Sequence, residues 1–509
     1  MSAPRPPLAT TAVVMGLTLL GLIGCRGQPR PRAPLVIAHE SDIVSFQPTS
    51  LPEPVRLSVL GNFYEGLVAF DGESSMQPAL AVHWLTPDPL TWRFRIRQGV
   101  SFHDGSPLTA LDVKVSLDRA RSAIDSGVRG YLSAIASIEV GGEDVLIRTS
   151  RPDPLLLKRL SFVFISPARI LGTSERPAGT GPYRIAHYEE GRIEAHAFGR
   201  HWGRVPAIER VVFRTVPAGD VVAALKQGSV DVLRWVPEGT LAEARAVPGY
   251  RVVTRDGLRC YFLWLNAQGH AADRPNPLAD RRVRQALSHA IDRKALTDTL
   301  GGLATPLTQL VHKGIFGFVP ELPRLAHDAA YARRLIAEAG YPKGFSTTLA
   351  FRDDAGLEPI VVALKAMLER VGIRVEPRPM PWRTMLEATW RSRRQAISLA
   401  GWQFDEGAAW GLLRDCIHTQ DPTRTYGAFN AGYSDAEMDR LIDAGDQVFE
   451  GVERRAHYRE IMRLALDEMP LVPLYARRDS YAVSRRVHWQ PRIDGSLRAA
   501  EMSWNDDPS

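Results

Sequence analysis

A chain of 509 residues that is 45% hydrophobic and 24% charged has enough apolar material for large cores, and its length predicts two or three globular domains. The formal charge of +6 is small for that length, and arginines are interspersed with acidic residues instead of forming blocks. Nothing in this balance calls for a nucleic-acid partner or a polybasic membrane-binding surface.

The first 24 residues read as a secretion signal. Arg5 supplies a cationic start, and the apolar run from Ala12 to Ile23 is shorter than the ~20 residues a membrane-spanning helix needs. An uncleaved N-terminal anchor would require a longer run. Leu22-Ile23-Gly24-Cys25 resembles the bacterial lipobox, which implies lipidation of Cys25 and a membrane tether through it. After Cys25, residues 26–34 (RGQPRPRAP) form an extended proline-rich linker, so that the lipidated cysteine and tether span 25–34.

Along the mature chain, Leu35 to Ala38 predicts a first strand, and the apolar segment Asn62 to Phe70 ends in an Asp71-Gly72 turn. Trp92, Phe94 and Ile96 alternate with Arg93, Arg95 and Arg97, the period-2 pattern of a strand with one buried face. His103-Asp104-Gly105-Ser106-Pro107 is a turn, after which Thr109 and Asp112 form a capping box for a helix. Its apolar face is Ala110, Val113, Leu117 and Ala120, with Lys114 and Asp118 paired on the other side. A hairpin about Gly141-Gly142 follows, with Ile138, Val140, Val145 and Ile147 alternating. The glycine-rich Gly179-Thr180-Gly181-Pro182-Tyr183 lacks the lysine and helix start of a phosphate-binding loop, so it reads as turn geometry. Strands are predicted at Arg184 to His187 and Val211 to Val216, and a short helix from Val221 stops at Gly228.

From Asp280 the texture turns helical. Val283, Leu287 and Ala290 share one face of DRRVRQALSHAIDRKAL, and its arginines are expected to coat the solvent side. A helix ends at Gly340 before Pro342, and another over Val361 to Arg370 leads into a strand at Ile373 to Val375. Ser434 and Glu437 are expected to form a second capping box, and a last helix stops at Pro470 before the extended run Leu471 to Tyr475. Helices and strands mix throughout, so the fold class is α/β or mixed α+β. Beyond Cys25, Cys260 and Cys416 read as two separately buried free thiols, an oxidising compartment also permitting a disulfide. No spacing suggests a metal site or a cofactor. No GxSxG, SxxK or HExxH motif occurs, and His103 beside Asp104 lies in a turn where neighbouring side chains diverge, so a secreted hydrolase is the weaker alternative.

Several stretches together resemble one family. YEGLVAFDG (64–72), PALAVHW (78–84), FHDGSPLTALDV, GTGPYRI (179–185), VRQALSHAIDRKAL (283–296), AEAGYPKGF (337–345) and MPLVPLY (469–475) are similar, in order and spacing, to the family 5 extracellular solute-binding proteins. These are the peptide, dipeptide and nickel-binding lipoproteins of bacterial ABC importers. The resemblance implies a periplasmic-binding-protein-like fold of two hinged lobes plus an inserted domain. On that pattern domain I takes residues 35–55, 177–265 and 476–509, domain II takes 56–176 and domain III takes 266–475. It further implies an extracytoplasmic, lipid-anchored monomer that binds a short peptide or related small solute, without enzymatic activity, and hands it to membrane permease subunits. A nickel- or metallophore-binding role, or an oligosaccharide-binding one, belongs to the same family pattern.

Site residues follow from the same resemblance. Trp402 and Asp405 match a Trp and, three residues later, an Asp whose carboxylate pairs with the peptide ammonium in peptide-binding members; Asp405 could equally cap the helix through Trp410 and Leu413. Family members often continue with Asp-Pro, whereas this chain has Ala408-Ala409. Arg352 lies near the position at which dipeptide-binding members hold the peptide carboxylate, the alternative being a solvated arginine. Trp382 matches an aromatic placed before a helix, for ligand stacking or core packing, and Tyr261, Phe262 and Trp264 either line the wall of domain I or fill its core.

Overall fold

The computed structural model describes Met1 and residues 33–505, apart from 43–45, 50–52, 125, 171–177, 273, 355, 425, 446–447 and 449–451. Cys25 and the expected signal segment lie outside the described residues. Pro34–Ser509 forms a compact unit of its own, and among the described residues no helix is long and apolar enough to cross a membrane.

The first strand, β1, covers Leu35–His39. The next substantial elements form a separate four-stranded sheet with strands β2 (Ala81–Asp88), β3 (Thr91–Ile96), β4 (Ile135–Gly141) and β5 (Asp144–Thr149), in the order β2-β3-β5-β4. Helix α1, Ala110–Ser122, lies between β3 and β4 in sequence and starts at the expected box: Thr109 N–H donates to Asp112 at 2.8 Å and Asp112 N–H to the Thr109 hydroxyl at 3.4 Å. Trp92, Phe94 and Ile96 bury on the same core as Val113, Leu117 and Ala120. The period-2 and helical patterns thus converge on one interior.

The main sheet has eleven strands among the described residues. It takes in β1, β6 (Tyr183–Glu189), β7 (Arg192–Ala197), β8 (Arg210–Thr215), β9 (Val232–Arg234) and β10 (Tyr250–Leu265), then β11 (Phe345–Arg352), β12 (Ile373–Met380), β13 (Ile397–Gln403) and β14 (Leu471–Ser484). The order is β12-β11-β13-β10-β14-β9-β1-β8-β7-β6, with Ala304–Pro306 added on β14. Strands β10 and β14 run through both halves of it. Tyr250 to Asp256 pair with Arg478 to Ser484, Cys260 to Trp264 pair with Leu471 to Ala476, and the register shifts between Asp256 and Cys260. A bulge of this kind bends paired strands, and it is here that the two halves of the sheet meet.

The run CYFLWL has no polar alternation because both of its faces are covered. Cys260, Phe262 and Trp264 belong to one core, and Tyr261, Leu263 and Leu265 to another. Cys260 and Cys416 are free and buried in the same core.

Two local expectations are corrected. The 280–296 stretch is two helices, Arg281–Ala290 and Arg293–Asp298, because Asp292 caps the second through Ala295 N–H at 3.0 Å. Its arginines do not all face solvent. Arg284 and Arg293 are 3% and 5% exposed, donating to the carbonyls of Leu278, Ala279 and Glu468 and to those of Pro473 and Ser288 respectively. A guanidinium's five donors serve carbonyls left open at chain turns, a use that hydropathy patterning does not register. In the second case Asp435, not Ser434, caps the helix Ala436–Gly445, accepting from Met438 N–H at 2.7 Å. Ser434 accepts a hydrogen bond from the Thr419 hydroxyl and Glu437 pairs with Arg440.

The 179–183 loop is a clamp. A Cβ on Gly179 would lie 2.1 Å from the Phe63 carbonyl oxygen, and one on Gly181 2.5 Å from the Phe63 carbonyl carbon. Around this close approach Thr180 donates to Glu65 at 2.8 Å and His103 Nε2 bonds the Gly181 carbonyl at 2.9 Å. Asp104 turns the other way, to Arg169 and Ser106, so the His103-Asp104 pair has a holding role. Gly179→Ala must push backbone from backbone, and a loss of roughly 3 kcal/mol, read from the urea midpoint, is expected.

Candidate functional site

Three cavities of about 270, 320 and 520 Å³ meet where the halves of the main sheet join, and Gln403, the last residue of β13, lines all three. Just beyond it the chain makes a tight turn. Phe404 enters the core with 1% exposure and donates its N–H to the Leu258 carbonyl, and Gly407, with φ of 60°, donates back to the Phe404 carbonyl. Asp405 and Glu406 are left at the tip of this turn, both lining the 520 Å³ chamber.

Ala408 and Ala409 follow because the next segment packs tightly against residues 316–317. Ala408 bridges to Phe316, Ala409 N–H donates to the Phe316 carbonyl, and the Ala409 methyl would lie 2.8 Å from a Cβ on Gly317. Both alanines are at most 1% exposed and neither lines a cavity described here. The departure from the Asp-Pro pattern therefore sits in packing.

Aromatic rings form much of the chamber wall. Trp264 and Trp390 meet edge to face at 5.1 Å, Trp382 lies 5.6 Å from Trp390, and Phe429 lies 5.6 Å from Trp402. Tyr131, from the segment that carries the four-stranded sheet, also lines the chamber, together with Arg151 and Arg159. Most of the charges here are already paired: Arg414 with Asp415 at 2.7 Å, Arg424 with Asp421 at 2.7 Å, and Arg159 with Asp153 at 3.0 Å and with Glu406 at 3.6 Å.

Asp405 differs. Among the described residues it has no ion pair, and burial, reinforced by the neighbouring Glu406 charge, raises its carboxyl to about 7 against the opposing influence of Arg259 and a hydrogen bond with Gln403. The helical turn Trp410–Leu412 begins with no side-chain cap, so Asp405 is not used there. Its carboxylate is held among rings and short of a counter-ion, an arrangement suited to a cation.

Of the residues singled out from the sequence, Trp402, Asp405 and Trp382 therefore line one chamber, Trp382 being 47% exposed. Arg352 does not join them. It ends β11, is half exposed and ion-pairs with Asp354 two residues on. Tyr261 stacks on Tyr475 at 4.8 Å inside a core, Phe262 is fully buried, and Trp264 both packs in the core and reaches the chamber. Sequence reasoning passed over Trp390, Phe429, Tyr131 and Gln403. No local pattern marks them, since each is brought to the cavity by a different element.

The model of bacterial extracellular solute-binding proteins, family 5 (middle region), matches residues 75–421. The chain belongs to this family. A similar curated relative is the glutathione-binding protein GsiB of Salmonella typhi, 26% identical over 475 residues that cover 89% of this chain and 91% of that one. The structure of HbpA2 from Haemophilus parasuis has the same fold, with a TM-score of 0.83 at 23% identity, covering 93% of this chain and 100% of that one. So has the periplasmic binding protein DppA from Helicobacter pylori in complex with the peptide STSA, with a TM-score of 0.71 at 22% identity and coverage of 93% and 98%. The fold is thus that of the periplasmic binding proteins, and the family is one of solute-binding proteins.

Proposed function

We propose that this family member is the substrate-binding component of an ABC importer, capturing a short peptide or peptide-like solute through its free ammonium group and delivering it to a membrane permease. One observation carries the reading. Asp405 is a half-buried carboxylate without an ion pair among the described residues, in a chamber of about 520 Å³ walled by Trp264, Trp382, Trp390, Trp402 and Phe429. An ammonium group placed there gains a charge-assisted hydrogen bond and the negative faces of the rings. The names of the relatives, glutathione-binding and peptide-complexed proteins, agree with that chemistry.

In this proposal the two strands that run through both sheet halves, β10 and β14, act as the hinge. Closure brings Tyr131, Arg151 and Arg159 towards the aromatic wall and removes water from the bound solute, which strengthens each polar contact. The closed shape then reports occupancy to the permease. Cys25 carries the lipid that keeps the monomer at the extracytoplasmic membrane surface.

Thermal-shift screening of the purified chain tests this with glutathione, di- to hexapeptides, nickel-histidine chelates and oligosaccharides. A ligand at a hundred times its Kd stabilises by roughly 2.7 kcal/mol. The expected result is stabilisation by peptides with a free amino terminus. Stabilisation by sugars alone would overturn the reading, as would product release from any of the peptides.

A further inference from the structure

The 320 Å³ cavity beside the aromatic chamber has a different chemistry. It is lined by Glu40, Arg234, Arg259, Arg477, Asp479 and Asp494, among others. Arg234 pairs with Glu40, and Asp494 with Arg492 at 2.9 Å. Arg477 makes no hydrogen bond or ion pair among the described residues although it is half-buried, and Arg259 donates only to Gln403, at 3.3 Å.

Strand register places these groups in one row. Gln403 on β13 is opposite Arg259 on β10. Arg259 and Arg477 each lie one residue beyond the Cys260–Ala476 pair, within the register shift. Tyr261 and Tyr475, the next residues on that face, stack at 4.8 Å. Adjacent strands lie about 4.8 Å apart, so the two guanidinium stems rise side by side from β10 and β14, one and two strands beyond the turn that carries Asp405. Asp479 lies within electrostatic reach of Arg234, Arg477 and Arg259, and burial pushes its carboxyl up against their influence.

We infer that Arg259 and Arg477 form the anion-binding end of the ligand site and take the carboxylate of a solute whose ammonium group lies at Asp405, so that the preferred substrates are short zwitterions with both termini free. The inference rests on the peptide reading above and extends it: two guanidinium forks on the hinge strands couple carboxylate binding to the bend between the sheet halves. Arg352, committed to Asp354, is not needed for this task.

Calorimetric titration with trialanine, its C-terminal amide and its N-acetyl form, against the wild type, Arg259→Gln, Arg477→Gln and Asp405→Asn, tests the assignment. On the wild type the amide is expected to bind about tenfold more weakly than the free acid, as loss of a charge-assisted contact implies. On either arginine variant acid and amide should bind alike, while the N-acetyl form remains weaker than the free amine. Equal binding of acid and amide to the wild type overturns the inference, as does an amide penalty that survives in both variants. Failure of all three probes on the wild type counts against the peptide reading alone. A sulfate-for-chloride exchange at constant ionic strength then decides the anion site: stabilisation of the wild type and not of Arg477→Gln supports it, and equal response of the two overturns it. The one bond of Arg259, to Gln403, joins strands already paired through their backbones, and Arg477 makes none among the described residues, so circular dichroism of both variants should match the wild type.

Discussion

Asp405→Ala is expected to weaken binding of a free-amino peptide by about thirtyfold or more, the usual cost of removing one partner from a desolvated charge pair. Binding of the same peptide with an acetylated amino terminus should change by no more than about twofold, because an amide has no charge for Asp405 to meet. Calorimetry on the two ligands gives the comparison directly. The contrast matters more than the loss, since a general disturbance of the turn from Phe404 to Gly407 would weaken both peptides equally. The turn is held by backbone bonds from Phe404 to Leu258 and from Gly407 to Phe404, which the substitution leaves intact. An equal loss for both ligands would return Asp405 to a purely structural part.

Affinity for a peptide should also fall by about tenfold between pH 7 and pH 5.5, tracking the protonation of Asp405, whose carboxyl is raised to about 7. The sign follows from linkage. An ammonium ligand binds the ionised carboxylate, so the complex holds fewer protons than the free protein, and affinity rises with pH until Asp405 is ionised. Above about pH 8 the peptide amine itself loses its proton, and the profile turns over. In the ligand-free protein the sign is opposite: the folded-state carboxyl lies above its unfolded value of 3.8, so the protonated form favours folding. Its contribution is present below about pH 4 and is lost as pH rises through 7. Asp405→Asn should therefore remove the acid limb of the binding profile and raise the melting temperature of the free protein at pH 8 relative to wild type, with the difference vanishing near pH 4. A binding profile flat from pH 5.5 to 7 in the wild type would contradict the placement of the ammonium at this carboxylate.

The sequence by itself determined the local elements and the family pattern. Alternating Trp92, Phe94 and Ile96 made a strand with one buried face, and Thr109 with Asp112 started a helix, because period and capping depend on neighbours within a few residues. The paired glycines of the 179–183 loop read from sequence as turn geometry, and only the folded chain brings them against the Phe63 backbone. Tertiary structure decided where long polar side chains go. Arg284 and Arg293 look like a solvent stripe on a helical wheel, yet they bury to serve carbonyls of other segments. Arg352 falls near the family position for a carboxylate-binding arginine, yet Asp354 two residues away takes it, while Arg477 on a strand 125 positions further on faces the cavity without a partner among the described residues. A guanidinium reaches far from its own Cα, so its partner is chosen by whatever the fold brings near. The chamber itself joins Tyr131, Trp264, Trp390, Asp405 and Phe429. Residues from such distant stretches come to share one cavity only in the folded chain, because no local pattern links them.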